Sequence, residues 1–280
     1  RDGLGVFVTL LLDMSASTIP NLAQVKAAAS TFVTELQTTR GLPVHISLEL
    51  FAGAEETVVW QSHFLDADTL LERIDAIPSR HPVAADNCGE ASEGVVDPVC
   101  LMPKSPLRTN LNGALVSAIA NTEAAAASFR DRNRGGAFTA EYVLVFTDGY
   151  DNASLVDSQV AIDAAQASTA QVIGVGLNTE AYRPGELEAL SEEPVLVAQT
   201  ADELAREFQV FASRIDAQTQ RTYALVYCTP SGAGDHTGSV RLTGDIDQEF
   251  ASYTFSAEGL SGCLSAEDIV GLCDNKTCGG

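Results

Sequence analysis

Nowhere in the 280 residues is there a run of about 20 apolar residues, so no segment is built to cross a bilayer as a helix. The longest largely apolar run, Val6 to Leu12, has the length of a β-strand. Positive charge is also scarce. Against 38 Asp+Glu there are only 16 Lys+Arg, and the formal net charge of -22 sets up a field that repels phosphate backbones and anionic lipid, which argues against nucleic acid as a partner. There is no G-x-x-x-x-G-K-[ST] phosphate loop, and Gly174-Val175-Gly176 lacks the rest of a dinucleotide fingerprint. His45, His63, His81 and His236 are scattered, and no Ser/His/Asp arrangement of nucleophilic spacing emerges from them. An oxygen-ligand metallohydrolase would need a base placed beside a metal-bound water, and no residue offers itself, so the chain is not expected to be an enzyme. Internal repeats and low-complexity tracts are absent as well.

What is present is globular. Hydrophobic residues make up 45% and charged residues 19%, far from the composition of a disordered chain. The six cysteines, Cys88, Cys100, Cys228, Cys263, Cys273 and Cys278, are even in number and lie in or beside loops. Zinc binding is the alternative, but Cys273 and Cys278 are spaced more widely than C-x₂-C and no His is near them, so disulfides are expected. The expected pairs join sequence neighbours and the two ends of the C-terminal region: Cys88–Cys100, Cys228–Cys263 and Cys273–Cys278. Disulfides imply an oxidising compartment, either periplasmic or extracellular at the cell surface. The sequence opens at Arg1-Asp2-Gly3 with no signal peptide, so export carries the expectation of a leader removed by processing.

Strand-length apolar runs alternate with segments of helical period, the pattern of a mostly parallel sheet covered by helices on both faces. Strands are expected at Gly5–Leu12, His45–Phe51, Thr57–His63, Tyr142–Phe146, Val172–Gly176 and Val195–Ala198. Helices are expected at Asn21–Thr39, Asp68–Ile77, Leu111–Phe129, Val156–Ser168, Gly185–Leu190 and Ala201–Gln218. The second and third strands are close enough for an antiparallel hairpin through Ala52-Gly53-Ala54, which makes one antiparallel edge strand. Residues 78–108 carry five prolines and two cysteines and read as a long loop closed by its own disulfide. Beyond residue 220 the texture changes. Thr222–Tyr227, Ser239–Leu242 and Ala251–Phe255 are short runs rich in β-branched and aromatic residues. The expected organisation is therefore a doubly wound α/β domain over 1–220 and a small disulfide-rich all-β module over 221–280.

Three segments carry chemistry. Asp13-Met14-Ser15-Ala16-Ser17 leaves the carboxyl end of the first strand, where open α/β sheets bind ligands. Thr109 stands just before the helix starting near Leu111, and Phe146-Thr147-Asp148-Gly149 brings a second carboxylate to the end of another buried strand. Taken singly, each has a plain explanation: a Ser capping the next helix, or an Asp accepting loop amides. Asp151 and Asn152 after the third segment offer two further oxygen-bearing side chains near any metal bound at this edge, but an Asp-Asn pair there is more often just a turn. Together, Asp13, Ser15, Ser17, Thr109 and Asp148 supply only oxygen, a donor set for a hard divalent cation, Mg²⁺ first with Ca²⁺ or Mn²⁺ as alternatives. Such a set leaves the coordination shell unfilled, so an acidic side chain from a partner can complete it.

D-x-S-x-S after the first strand, a Thr five residues before Ala114-Leu115, and T-D-G after a later strand resemble the metal-ion-dependent adhesion site (MIDAS) of the von Willebrand factor A (vWA), or integrin I-domain, family. The likeness covers about residues 4–220. It implies that Ser15 and Ser17 coordinate directly, and that Asp13, Thr109 and Asp148 bind directly or through water. It also implies a metal-dependent adhesion protein at the cell surface, binding a protein or surface ligand that offers a carboxylate. The alternative is a vWA interaction subunit docking onto a larger assembly, as the vWA partners of ATPase chelatases do. Those partners work in the reducing cytosol, so disulfides separate the two. Tyr227-Cys228-Thr229-Pro230 with Gly234-Asp235-His236-Thr237 is similar to the stretch after the vWA domain in some exported bacterial surface proteins and lipoproteins. A strand ending in a disulfide and a turn accounts for the same residues equally well.

Overall fold

The computed structural model describes residues 4–38, 43–53, 56–64, 66–79, 108–133, 137–148, 151–177, 182–191, 194–198, 201–220, 234–241 and 250–256. The chain divides into two compact units, Arg1–Arg221 and Thr222–Gly280.

The larger unit is built on a six-stranded sheet. Its first strand, β1 (Leu4–Asp13), is buried along almost its whole length, as a strand covered on both faces must be. Helix α1 (Leu22–Thr38) leads to β2 (Val44–Ala52), which lies parallel to β1 with Asp13 opposite Phe51. Gly53, at φ 74, then turns the chain back into β3 (Glu56–Phe64), antiparallel to β2. After α2 (Ala67–Asp75) and α3 (Leu111–Arg132), the chain returns to the other side of β1 as β4 (Phe138–Thr147). It continues outward through α4 (Ser158–Ala167), β5 (Ala170–Leu177), α5 (Pro184–Leu190), β6 (Leu196–Ala198) and α6 (Ala201–Gln220). The strand order is β3-β2-β1-β4-β5-β6, with every pair parallel except β2 with β3. The fold is thus the doubly wound, mostly parallel α/β sheet that the sequence led us to expect.

The apolar residues sort by face. Val6, Val8, Leu10 and Leu12 of β1 share one core with residues of α1, α2 and α6, whereas Leu11 joins the other with α3, α4 and α5. The Phe208 ring of α6 lies 5.3 Å from Phe32 of α1 and 5.2 Å from Phe146 of β4, which seats this last helix on the sheet. Trp60 is partly buried against the first core, with its indole Nε1–H donating to the Arg73 carbonyl at 3.0 Å.

In the larger unit, the start of β4 and the end of α3 lie more than two residues from expectation. Strand β4 starts at Phe138 instead of Tyr142, because Glu141 is only 4% exposed yet fully engaged. Its carboxylate accepts from Arg130 Nη1 at 2.6 Å and from Thr169 Oγ1 at 2.6 Å, so a charged residue sits inside a strand that polarity alone would have ended. Helix α3 runs past Phe129 to Arg132, placing Arg130 and Arg132 in its last turn, where cations suit the carbonyl end.

In the smaller unit the described residues form one antiparallel ladder, β7 (Asp235–Arg241) with β8 (Phe250–Ser256), in which Asp235 faces Ser256 and Arg241 faces Phe250. The strand expected at Thr222–Tyr227, most of the loop 78–108 and all six cysteines lie outside the described residues.

Candidate metal centre

The chain leaves β1 toward β2 on one side and comes back to β4 on the other, so the carboxyl ends of β1 and β4 flank the point where the winding reverses. A crevice opens at such a point in doubly wound sheets. Asp13 ends β1, and Asp148 follows directly on Thr147, the last residue of β4.

Asp13 is 3% exposed. Its Oδ1 accepts from the Ser15 backbone N–H at 2.7 Å, and its Oδ2 accepts from the Thr147 hydroxyl at 2.7 Å. Burial pushes its pKa up to about 7; the bonds from Thr147 and Ser15 oppose the rise, and the charge of Asp148 adds to it.

The turn after β1 is fixed from within. Thr18 Oγ1 donates to the carbonyls of Asp13 at 2.8 Å and Ser15 at 2.9 Å, and the Met14 N–H donates to the Phe51 carbonyl at 2.8 Å. Ser15 Oγ lies 3.1 Å from Ser17 Oγ and 3.5 Å from Thr18 Oγ1. Ser15 is buried and Ser17 exposed, so this hydroxyl pair runs from the interior to the surface. Neither serine caps the short 3₁₀ turn Ile19–Asn21, whose N-cap is Thr18 with no side-chain cap bond. The plain explanation for the serines therefore fails, while that for Asp13 holds in part, since one of its oxygens does serve a loop amide.

Asp148 is fully buried, and neither of its carboxylate oxygens has a hydrogen-bond partner among the described residues. Its main-chain carbonyl accepts from the Arg183 N–H at 2.8 Å. Buried carboxylates are nearly always hydrogen-bonded, so both oxygens left open call for a missing partner that bears positive charge or donors. Only two other buried side-chain atoms lack a partner among the described residues, His45 Nε2 and the Tyr182 hydroxyl, and neither belongs to an acid. His45 stacks on Phe7 with ring centroids 4.5 Å apart near the amino end of β2, at the opposite edge of the sheet from Asp13.

Thr109, 3% exposed, stands just before α3. The cap of that helix is Asn110, whose Oδ1 accepts from the Gly113 N–H at 3.1 Å. A Cβ on Gly113 would lie 2.4 Å from this oxygen, so the cap needs a glycine there. Asp151 and Asn152, which read as an ordinary turn, do more than reverse the chain. Asn152 Oδ1 accepts from the Thr109 N–H at 2.8 Å, the Asn152 N–H donates to the Thr109 carbonyl at 3.1 Å, and Asp151 Oδ2 accepts from the Asn112 N–H at 2.8 Å.

The larger unit thus brings Asp13, Ser15 and Ser17 together in one turn and Asp148 beside Asp13, while Asn152, four residues past Asp148, fastens Thr109 to the Asp148 loop. The donors are all oxygen and include a buried carboxylate with no hydrogen-bond partner among the described residues. That chemistry fits a hard divalent cation.

No protein-family model matches the chain, and no curated protein does. Solved structures do share its fold. The von Willebrand factor domain of the type V pili tip protein Mfa5 from Porphyromonas gingivalis superposes with a TM-score of 0.53 at 14% identity, covering 79% of this chain and 98% of that one. The pilus adhesin SpaC from Lactobacillus rhamnosus GG, in an open conformation, gives 0.53 at 14% identity, covering 87% of this chain and 34% of its own. The conserved hypothetical protein BatB from Bacteroides thetaiotaomicron gives 0.50 at 13% identity over 76% of this chain and 99% of its own. At such identities the likeness is one of architecture, and the architecture is that of the von Willebrand factor A domain.

Proposed function

We propose that the chain is a recognition or adhesion protein that binds an acidic group of a partner through a divalent cation held by Asp13, Ser15, Ser17, Thr109 and Asp148. The observation that carries this is Asp148, buried with neither carboxylate oxygen partnered among the described residues, beside Asp13, whose pKa burial raises to about 7. A divalent cation bound there would neutralise the pair and present an incompletely filled shell to an incoming carboxylate. The protein supplies the rest. Thr147 and the Ser15 N–H orient Asp13, and Thr18 holds the turn that presents the two serines. Support also comes from two of the proteins sharing the fold, one described as a pilus adhesin and the other as a pilus-tip protein.

Export to an oxidising compartment belongs to the same proposal, resting on the even set of six cysteines, as does a role for the Pro-rich stretch 78–108 in choosing among acidic partners. Enzymatic turnover is not part of it.

The net charge makes the test clean, because a chain at -22 is repelled by an anionic surface unless a cation bridges the two. Carboxylate-coated beads should capture the protein in Mg²⁺ and release it in EDTA, while hydroxyl-coated beads should not capture it. Attachment that persists in EDTA and in Asp13→Ala would move recognition away from this site.

A further inference from the structure

We infer that Asn152 is a positioning residue for the candidate ion site, acting through Thr109 and making the Thr109 and Asp148 loops a single body. The inference rests on the proposal that the site binds a cation.

The bonds at the carboxyl edge of the sheet fall into two groups. One closes the Asp13–Thr18 turn on itself and on β2, through Thr18 Oγ1 to the Asp13 and Ser15 carbonyls and through Met14 N–H to the Phe51 carbonyl. The other joins the loop after β4 to the start of α3. Asn152 grips the Thr109 peptide from both sides, accepting from its N–H at 2.8 Å and donating to its carbonyl at 3.1 Å. Asp151 Oδ2 takes the Asn112 N–H at 2.8 Å, and Ser154 Oγ donates to Asn110 Oδ1 at 2.7 Å while accepting from the Gly113 N–H at 2.9 Å. The same loop is held to the start of α5, since the Asp151 N–H donates to Glu186 Oε2 at 2.9 Å and the Arg183 N–H donates to the Asp148 carbonyl at 2.8 Å.

The first residues of α3 have no partners of their own for their N–H groups and need outside acceptors. Asp151, Ser154 and Asn110 satisfy two of these groups, at Asn112 and Gly113. Thr109 precedes the helix and its cap, so it gains nothing from helix formation, and its peptide is fixed by Asn152. Asn is suited to this because one side-chain oxygen and one backbone N–H match a peptide that offers one donor and one acceptor. Asn152 is exposed, so its replacement leaves the core intact.

The test is a double-mutant cycle read by calorimetric Mg²⁺ titration, with hydrogen exchange of the Thr109 amide measured without metal. Asn152→Ala should weaken Mg²⁺ binding about 10-fold, as loss of an orienting partner does, and should speed exchange at Thr109. In a Thr109→Ala background the same change should cost less than about 2-fold, because a residue that acts through Thr109 has nothing left to position. Asn152→Asp, which keeps the acceptor oxygen, should restore protection of the Thr109 amide. Equal losses in both backgrounds, or an unchanged Thr109 exchange rate in Asn152→Ala, would overturn the inference while leaving the ion site standing. Wild-type protein that takes up no Mg²⁺, Ca²⁺ or Mn²⁺ would overturn the site and the inference with it.

Discussion

The Thr147 hydroxyl donates to Asp13 Oδ2 at 2.7 Å, tying the end of β4 to the end of β1 across the point where the sheet's winding reverses. This bond leaves Asp13 with one oxygen on Thr147 and the other on the Ser15 amide, while Asp148, one residue on from Thr147, has no partner for either oxygen among the described residues. The two carboxylates therefore start from different states, and several consequences can be measured.

Asp13→Asn should stabilise the metal-free protein near neutral pH. Below about pH 4 the Asp13 carboxyl is protonated in folded and unfolded chains alike and contributes nothing. As pH rises, the unfolded chain ionises first, because the folded group titrates only at about 7, so stability falls across that interval and stays lower above it. The amide removes the loss. Its oxygen can keep the Ser15 N–H, and its NH₂ can donate to the Thr147 hydroxyl, which turns to accept. Thermal unfolding in EDTA should show a gain of about 3–4 kcal/mol at pH 7.5 that vanishes near pH 4. A mutant less stable than wild type at pH 7.5 would contradict it.

Cation affinity should depend on pH in the opposite direction. Binding needs Asp13 as a carboxylate, so protons compete below its pKa of about 7. Calorimetric titrations should give an apparent Mg²⁺ affinity that falls about 10-fold between pH 8 and pH 6 and levels off above pH 8. An affinity flat from pH 6 to pH 8 would mean that Asp13 is not a ligand.

Phe208→Ala should destabilise the larger unit by about 3–5 kcal/mol, the usual loss for emptying a buried aromatic site. Phe208 is fully buried between Phe32 and Phe146, at the joint of α6, α1 and the sheet. Urea denaturation followed by circular dichroism measures it. A loss under about 1 kcal/mol would mean that α6 is not seated there.

Mass spectrometry of non-reduced peptides should find Cys88 linked to Cys100, Cys228 to Cys263 and Cys273 to Cys278. Six titratable thiols or bound zinc would remove the case for an oxidising compartment.

The sheet and its two helical layers were legible because alternation of apolar runs with helical periods survives in β1, β2, β4 and β5, all buried strands. The ends were less so. Glu141 hid the start of β4 because burial of a charge by Arg130 and Thr169 depends on chain positions far apart in sequence. At the site, Asp13, Ser15, Ser17 and Asp148 stood out as oxygen donors at strand ends. Asn152 did not, since an Asp-Asn pair after a glycine has the composition of any turn, and its partner Thr109 lies 43 positions away. The lack of partners for Asp148 among the described residues was not readable from sequence either, for it depends on what surrounds the carboxylate.

The fit of Asn110 against Gly113 constrains how such a chain can diverge. With 2.4 Å between the cap oxygen and the place a Cβ would occupy, positions 110 and 113 are not free to change one at a time. Any other side chain at 113 displaces the Asn110 amide, and with it the bond that Ser154 makes to the same oxygen. Homologous chains should accordingly vary at 110, 113 and 154 as a set, leaving a three-column covariation beside the Thr109 position.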